Sequence, residues 1–216
     1  MKKGITKILS ACVFAFVVFL AAGTQSKAAV NMGVKQTGAG SSYVDLAWDA
    51  QLGAGHYHTQ FSQDGKNWID MDNSSSPSES VYNLTQGASY YARVVAYKGS
   101  HYTGTHVMIG VSETAIVSTK PTEVSGLTQT AAGVNSVSMS WNASAGAASY
   151  VIYGYINYNW TQIGTSATNS ATITGVAATT STRFSVAAVK NVTGGTVTGD
   201  QCSGVEMKAI PIKVSR

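Results

Sequence analysis

Apolar and polar residues alternate along this chain in short runs, with Gly, Ser, Asn and Thr gathered between them. In "VDLAW" the residues Val44, Leu46 and Trp48 fall on one side of an extended segment, and Asp45 and Ala47 fall on the other. "VSMSW" repeats the pattern with Val137, Met139 and Trp141. Further on, "YYARVVAYK" aligns Tyr90, Ala92, Val94 and Ala96, and "TRFSVAAVK" aligns Thr182, Phe184, Val186 and Ala188. A period of two predicts strands with one buried and one polar face, and no sustained helical period competes with it. Strands of that kind bury their apolar faces most economically as two packed antiparallel sheets. The predicted class is all-β.

The pattern occurs twice. Val44, Leu46, Trp48 and Tyr57 match Val137, Met139, Trp141 and Tyr150 at a constant offset of 93. Trp68, Leu84, Ala92, Val94 and Ala96 then match Trp160, Val176, Phe184, Val186 and Ala188 at an offset of 92, so one residue is lost in the turn after the third strand. A unit this long is a domain rather than a solenoid repeat. The predicted domains span residues 31–118 and 121–213, with the seam at "STKPTEVSGL", where Pro121 interrupts strand pairing. A linker this short predicts a jointed rod rather than two freely tumbling beads.

Each copy resembles a fibronectin type III domain. The residues that carry the resemblance are a Trp in the second strand, a Tyr opening the third, and an L-x-x-G-x-x-Y-x-x-x-V-x-A run. The first copy has Trp48, Tyr57 and "LTQGASYYARVVA"; the second opens with "PTEVSGL" and has Trp141 and Tyr150. The resemblance implies two tandem immunoglobulin-like β-sandwiches, with Tyr90 as a tyrosine corner whose hydroxyl bonds nearby backbone. In the second copy Val176 and Thr182 replace the Leu and Tyr, so no corner bond is implied there. It further implies a spacer or binding module, although a fold does not by itself assign a function.

Composition changes the picture mainly at the N-terminus. Lys2, Lys3 and Lys7 precede the apolar run "ILSACVFAFVVFLAA", and Ser26-Lys27-Ala28 supplies a small-x-small site, so residues 1–28 read as a secretory signal peptide. The apolar run is shorter than the roughly 20 residues of a membrane span, and no stable membrane insertion is expected after cleavage. Of the 14 Lys and Arg residues, Lys2, Lys3, Lys7 and Lys27 lie in this leader, and the remainder balance the 10 Asp and Glu. The basic excess thus belongs to the leader and gives no reason to expect a nucleic-acid partner. Cys12 leaves with it, which makes Cys202 a single cysteine, expected as a small core residue with no disulfide.

Candidate chemistry is sparse. "SYVIYGYINYNW" holds Tyr150, Tyr153, Tyr155, Tyr158 and Trp160. If Tyr150 opens the third strand, Tyr150 and Ile152 face the core, and Val151, Tyr153 and Tyr155 face outward beside Arg183, Ser185, Ala187 and Val189. Tyr153 and Tyr155 are therefore candidate ligand-binding rings, for a sugar or a protein; the alternative is ordinary cross-strand packing on the sheet. His56 and His58 share a face of the third strand, and His101 and His106 lie in the last inter-strand loop at the same end. The four are candidate metal ligands, since imidazole suits zinc or copper, or else solvated polar groups. "SQDGKNW" reads as an Asp-Gly hairpin turn with Trp68 folded back over the strand pair. "DMDNSS" lacks the Gly and Glu of a calcium loop. The second copy has no histidine and few acids, and neither copy has a phosphate loop or nucleophile elbow. No catalysis and no cofactor are expected. The expected function is a secreted adhesion or binding module for an extracellular protein or glycan. The alternative is a structural spacer or an accessory subunit of a larger, for example polysaccharide-degrading, system.

Overall fold

The computed structural model describes residues 29–99, 106–178 and 181–211. The expected signal peptide at residues 1–28, and His101, lie outside them. The described residues form sixteen strands and no helix. In the first half these are β1 (Lys35–Ala39), β2 (Val44–Ala47), β3 (His56–Ser62), β4 (Ile69–Ser74), β5 (Ser78–Val81), β6 (Ser89–Lys98), β7 (Val107–Val111) and β8 (Ala115–Ser118). The second half repeats the series as β9 (Thr128–Gly133), β10 (Ser136–Ser140), β11 (Ser149–Ile156), β12 (Asn159–Ser166), β13 (Ser170–Thr174), β14 (Thr182–Val192), β15 (Gly195–Thr198) and β16 (Val205–Met207).

Each half is a sandwich of two antiparallel sheets. One sheet has the order β1-β2-β5, and the facing sheet has β4-β3-β6-β7 with β8 also paired to β6. The second half reproduces this as β9-β10-β13 against β12-β11-β14-β15, with β16 also paired to β14. The last edge is thus split in both copies into two short pieces along the same neighbour, so that edge is not one long flat strand.

The inward positions close two separate cores. Val44 and Val137 are fully buried, as are Val94 with Val186 and Ala96 with Ala188. Trp48 meets Tyr57 edge-on at 5.4 Å and 67°, and Trp141 meets Tyr150 at 5.3 Å and 67°. The hydroxyls of these buried tyrosines are satisfied in the same way: Gln51 N–H donates to Tyr57 Oη at 3.0 Å, and Ser144 N–H donates to Tyr150 Oη at 3.1 Å. Burying the rings thus leaves no phenol oxygen without a donor. The tyrosine corner is present in the first copy, where Thr85 N–H donates to Tyr90 Oη at 2.9 Å. With this strand order each half has the fibronectin type III fold, the first with its tyrosine corner, and the chain is a tandem pair.

The halves touch at a narrow junction. The β14–β15 turn docks on strand β8, where Thr193 N–H donates to Ile116 C=O at 2.8 Å and Ile116 N–H donates to Thr193 Oγ1 at 2.7 Å. Lys120 pairs with Asp200 at 2.7 Å. Lys190 is buried, and its ammonium donates to Gly87 C=O across the junction. Burial pushes the Lys190 ammonium below its ordinary pKa.

One reading of local structure needs correction. The Asp-Gly pair of "SQDGKNW" does not form a two-residue hairpin turn; residues 63–68 make a longer connection between β3 and β4. Asp64 organises it, accepting from the backbone of Asn67 and Lys66, each at 2.8 Å, and from Asn67 Nδ2 and Ser62 Oγ. Those donors, the Asn67 and Lys66 N–H groups foremost, hold the Asp64 carboxyl well below the usual carboxylate range. Trp68 lies beneath a guanidinium, with Arg93 Cζ 4.0 Å from its ring centre.

Candidate functional site

Two clusters gather the residues of interest, one in each sandwich. In the second, β11 and β12 form a hairpin in which Ile156 pairs with Asn159, leaving Asn157 and Tyr158 as a two-residue turn. Both turn residues have positive φ, 49° and 65°, as a type I′ turn requires. Asn adopts this conformation readily. A tyrosine does so at a cost, and here it stands 89 % exposed at the tip.

Behind the tip, Tyr155 and Trp160 are direct cross-strand partners with rings 5.3 Å apart at 61°. They remain 39 % and 36 % exposed. Trp160 also lies against Gly204, where an added Cβ would come within 2.8 Å of its ring, so only glycine admits the contact. Arg183 Nε stands 3.4 Å from that same point, which puts a cation beside the indole. The hairpin therefore presents two partly exposed rings flanked by a guanidinium and a projecting phenol.

This arrangement differs from the outer face expected of "SYVIYGYINYNW". Tyr150 and Ile152 are core residues. Tyr153 is half-buried, its cross-strand partner Ser185 is fully buried, as is Ala187, and Val189 is buried. Ser185 and Ala187 point outward but are small, and the larger Tyr153 and Val151 stand opposite them. The exposed aromatic surface thus lies nearer the hairpin tip, where Trp160 and Tyr158 join Tyr155. Sequence periodicity did not single out Trp160; its cross-strand pairing with Tyr155 across a two-residue turn was the available signal.

In the first sandwich, His56 opens β3 opposite Tyr97 of β6, and His58 follows on the same face. His56 stacks on Tyr97 with ring centres 5.2 Å apart and planes at 11°, and His58 lies 4.9 Å from the same phenol. His106, just before β7, closes on Tyr97 edge-on at 5.0 Å. The alternative reading of solvated histidines holds for His106, which is exposed, and is corrected for His56, only 3 % exposed, and for His58, which is largely covered. Among the described residues no group of three His, Cys, Asp or Glu side chains could hold a metal ion. Three of the four histidines are brought together around one phenol. Burial raises the Tyr97 pKa, and the nearby Asp70 charge adds to the rise.

A polar chain runs along the sheet to this cluster. Arg93 Nε–H donates to Gln60 Oε1 at 2.8 Å, Gln60 Nε2–H donates to Asp70 Oδ1 at 2.7 Å, and Asp70 Oδ2 stands 3.8 Å from His58 Nδ1. Each member fixes the orientation of the next. Among the described residues no helix is long and apolar enough to cross a membrane.

The chain is similar to several solved structures at low identity. One comprises the FN1–FN3 domains of chicken CNTN1, with 14% identity, 84% of this chain and 68% of that one covered, and a TM-score of 0.46. Another is a two-domain fibronectin type III segment of chicken tenascin, with 17% identity, 81% and 97% covered, and a TM-score of 0.40. A third is the twitchin kinase region of C. elegans, with 18% identity over 45% of this chain and 18% of that one, and a TM-score of 0.37. No protein-family model matches the sequence. No curated protein matches it.

Proposed function

We propose that this chain is an extracellular, non-catalytic binding module that holds a glycan against the hairpin of its second domain. The observation that supports it is the Tyr155–Trp160 pair, two cross-strand rings that stay more than a third exposed beside Arg183. Pyranose rings stack their C–H faces on such surfaces, and a flanking guanidinium can donate to ring hydroxyls. Tyr158 supports the same reading, since a bulky residue held at positive φ and left in solvent does nothing for the fold.

The test is retention of the purified chain on insoluble and immobilised polysaccharides. Retention lost in Trp160→Ala, with the second domain's melting unchanged, supports the glycan reading. Retention on none of them, with specific capture by an extracellular protein, moves the partner class to protein. A second reading, a spacer of set geometry, draws on the junction, where the Ile116–Thr193 bonds and the Lys120–Asp200 pair tie the two domains. It is favoured if neither glycan nor protein is retained.

A further inference from the structure

We propose that the sugar held at the β11–β12 hairpin is a uronic acid residue, whose carboxylate is received by the guanidinium of Arg183. The inference rests on the glycan reading above and adds the charge of the ligand. Three observations and the charge of the sheet support it.

The first is that Arg183 has no acid of its own. It is exposed, and among the described residues no carboxylate lies within ion-pair distance of it. Glu206 on β16 is its direct cross-strand partner. The Glu206 carboxylate is turned instead to Ser181, whose hydroxyl donates to Oε2 at 3.4 Å. A guanidinium presents its N–H donors in a planar fork that matches the edge of a carboxylate.

The second is where that fork stands. Arg183 precedes Phe184, the partner of Gly154, and so lies in register beside Tyr155. It also borders the indole. A Cβ on Gly204 would meet Cη2 and Cζ2 of Trp160 at 2.8 and 3.0 Å, and Arg183 Nε at 3.4 Å. The cation therefore sits at the rim of the ring. A pyranose stacked on an aromatic face directs its equatorial substituents sideways, past that rim. The C5 carboxylate of a uronate is such a substituent, and it meets a cation at the rim better than one over the face.

The third is the contrast with the first domain. Trp68 holds the place of Trp160, 92 residues earlier. There Arg93 Cζ lies 4.0 Å over the ring centre, and Arg93 is tied through Gln60 to Asp70. The face of Trp68 is covered, and an acid of the domain answers the cation. In the second domain the guanidinium stands at the rim, Trp160 stays 36 % exposed, and the charge is left for a ligand.

The number of cations narrows the class. Apart from Lys190, which is buried at the junction, Arg183 is the only Lys or Arg on strands β11, β12, β14, β15 and β16. One guanidinium suits one carboxylate per sugar. A densely sulfated chain needs several cations to hold it.

The experiment runs the purified two-domain chain at physiological salt in native gels containing polygalacturonate or alginate, each beside its neutral ester, or dextran sulfate. The two uronates should retard the chain. Esterification, which leaves the hydroxyls in place, should weaken binding by at least about tenfold, as loss of one charge-assisted pair does. Arg183→Gln should remove that preference without moving the second domain's melting, because the side chain is exposed. Glu206→Gln removes the acid opposite Arg183 and should tighten binding to the uronates. Equal binding of acid and ester, or a preference that survives in Arg183→Gln, overturns the uronate assignment and leaves the glycan platform standing. Retardation by dextran sulfate alone, lost in Arg183→Gln, overturns it in favour of an ester sulfate. Retardation in none of these gels, together with no retention on neutral polysaccharides, overturns both the assignment and the glycan reading beneath it.

Discussion

The thiol of Cys202 accepts the backbone N–H of Val186 at 3.2 Å, in the middle of the second domain. The first domain makes the same bond with oxygen: Val94 N–H donates to Ser112 Oγ at 2.8 Å. In both domains the return bond is also present, from Ser112 N–H to Val94 C=O and from Cys202 N–H to Val186 C=O. Between its two pieces the last strand runs longer than its neighbour, four steps from Val111 to Ala115 against three from Val95 to Ala92, so the ladder is interrupted there and the side chain supplies an acceptor for the strand N–H.

Cys202 is therefore structural, and its substitutions should separate cleanly. Cys202→Ser should leave stability within about 1 kcal/mol of the native chain, since Ser112 shows that a hydroxyl does the same work. Cys202→Ala leaves a buried N–H without a partner and should cost about 1–3 kcal/mol in the second domain alone. Chemical denaturation of the two variants decides it; equal losses in both would mean that the thiol contributes by packing and not as an acceptor.

Asp64 supplies a pH-dependent test. Its carboxyl lies well below the usual carboxylate range in the folded chain, because the Asn67 and Lys66 N–H groups, and then the side chains of Asn67 and Ser62, donate to the ionised form. A depressed acid pKa contributes stability that is full above the unfolded value and is lost as pH falls toward the folded one. The native chain should therefore exceed Asp64→Asn in first-domain stability by a constant margin from pH 7 to about pH 4. Below that the margin should shrink. Melts from pH 7 down to pH 2 measure it, and a margin that does not change with pH would show that the turn is held by shape rather than by charge.

The cores are separate, so each should respond to its own tryptophan. Trp48→Ala and Trp141→Ala should each cost about 3–5 kcal/mol in the domain that carries the change. The other domain should move only by what the junction bonds between Ile116 and Thr193, and between Lys190 and Gly87, contribute. A single calorimetric transition displaced equally by both substitutions would mean that the pair folds as one unit.

The parts of the molecule that were legible in sequence are those fixed by periodicity. Val44, Leu46 and Trp48 could be placed inward because a strand has only two faces, and the second copy repeated the evidence. What alternation cannot convey is how far a neighbour reaches. Ser185 and Ala187 point outward and are nonetheless buried, opposite Tyr153 and Val151. His56 sits on the outer face and is covered by the flat ring of Tyr97. The equivalence of Cys202 and Ser112 was hidden for another reason: the spacing between copies slips before the last strand, so the two residues do not align in sequence.

The hairpin of the second domain allows stability and recognition to be separated. Tyr150→Ala removes a core ring and its bond from Ser144, and should destabilise the domain by about 3–5 kcal/mol, as other large core truncations do. Tyr155→Ala and Trp160→Ala remove rings that are more than a third exposed, and should change the melting far less while abolishing retention on the bound glycan. Tyr153→Ala should fall between them, because that ring is half-buried. Tyr158→Gly is the sharpest of the series. It relieves a left-handed conformation that costs an L-residue about 1–2 kcal/mol, so the second domain should become more stable by up to about that amount. Binding should weaken in the same variant, because the projecting phenol is gone. Melting and retention measured side by side on these variants test the platform directly. Were Tyr155→Ala and Trp160→Ala to cost as much stability as Tyr150→Ala, those rings would be core and the platform would not exist. Were Tyr158→Gly to gain stability with no loss of retention, the tip would take no part in binding, and the contact surface would be confined to Tyr155, Trp160 and Arg183.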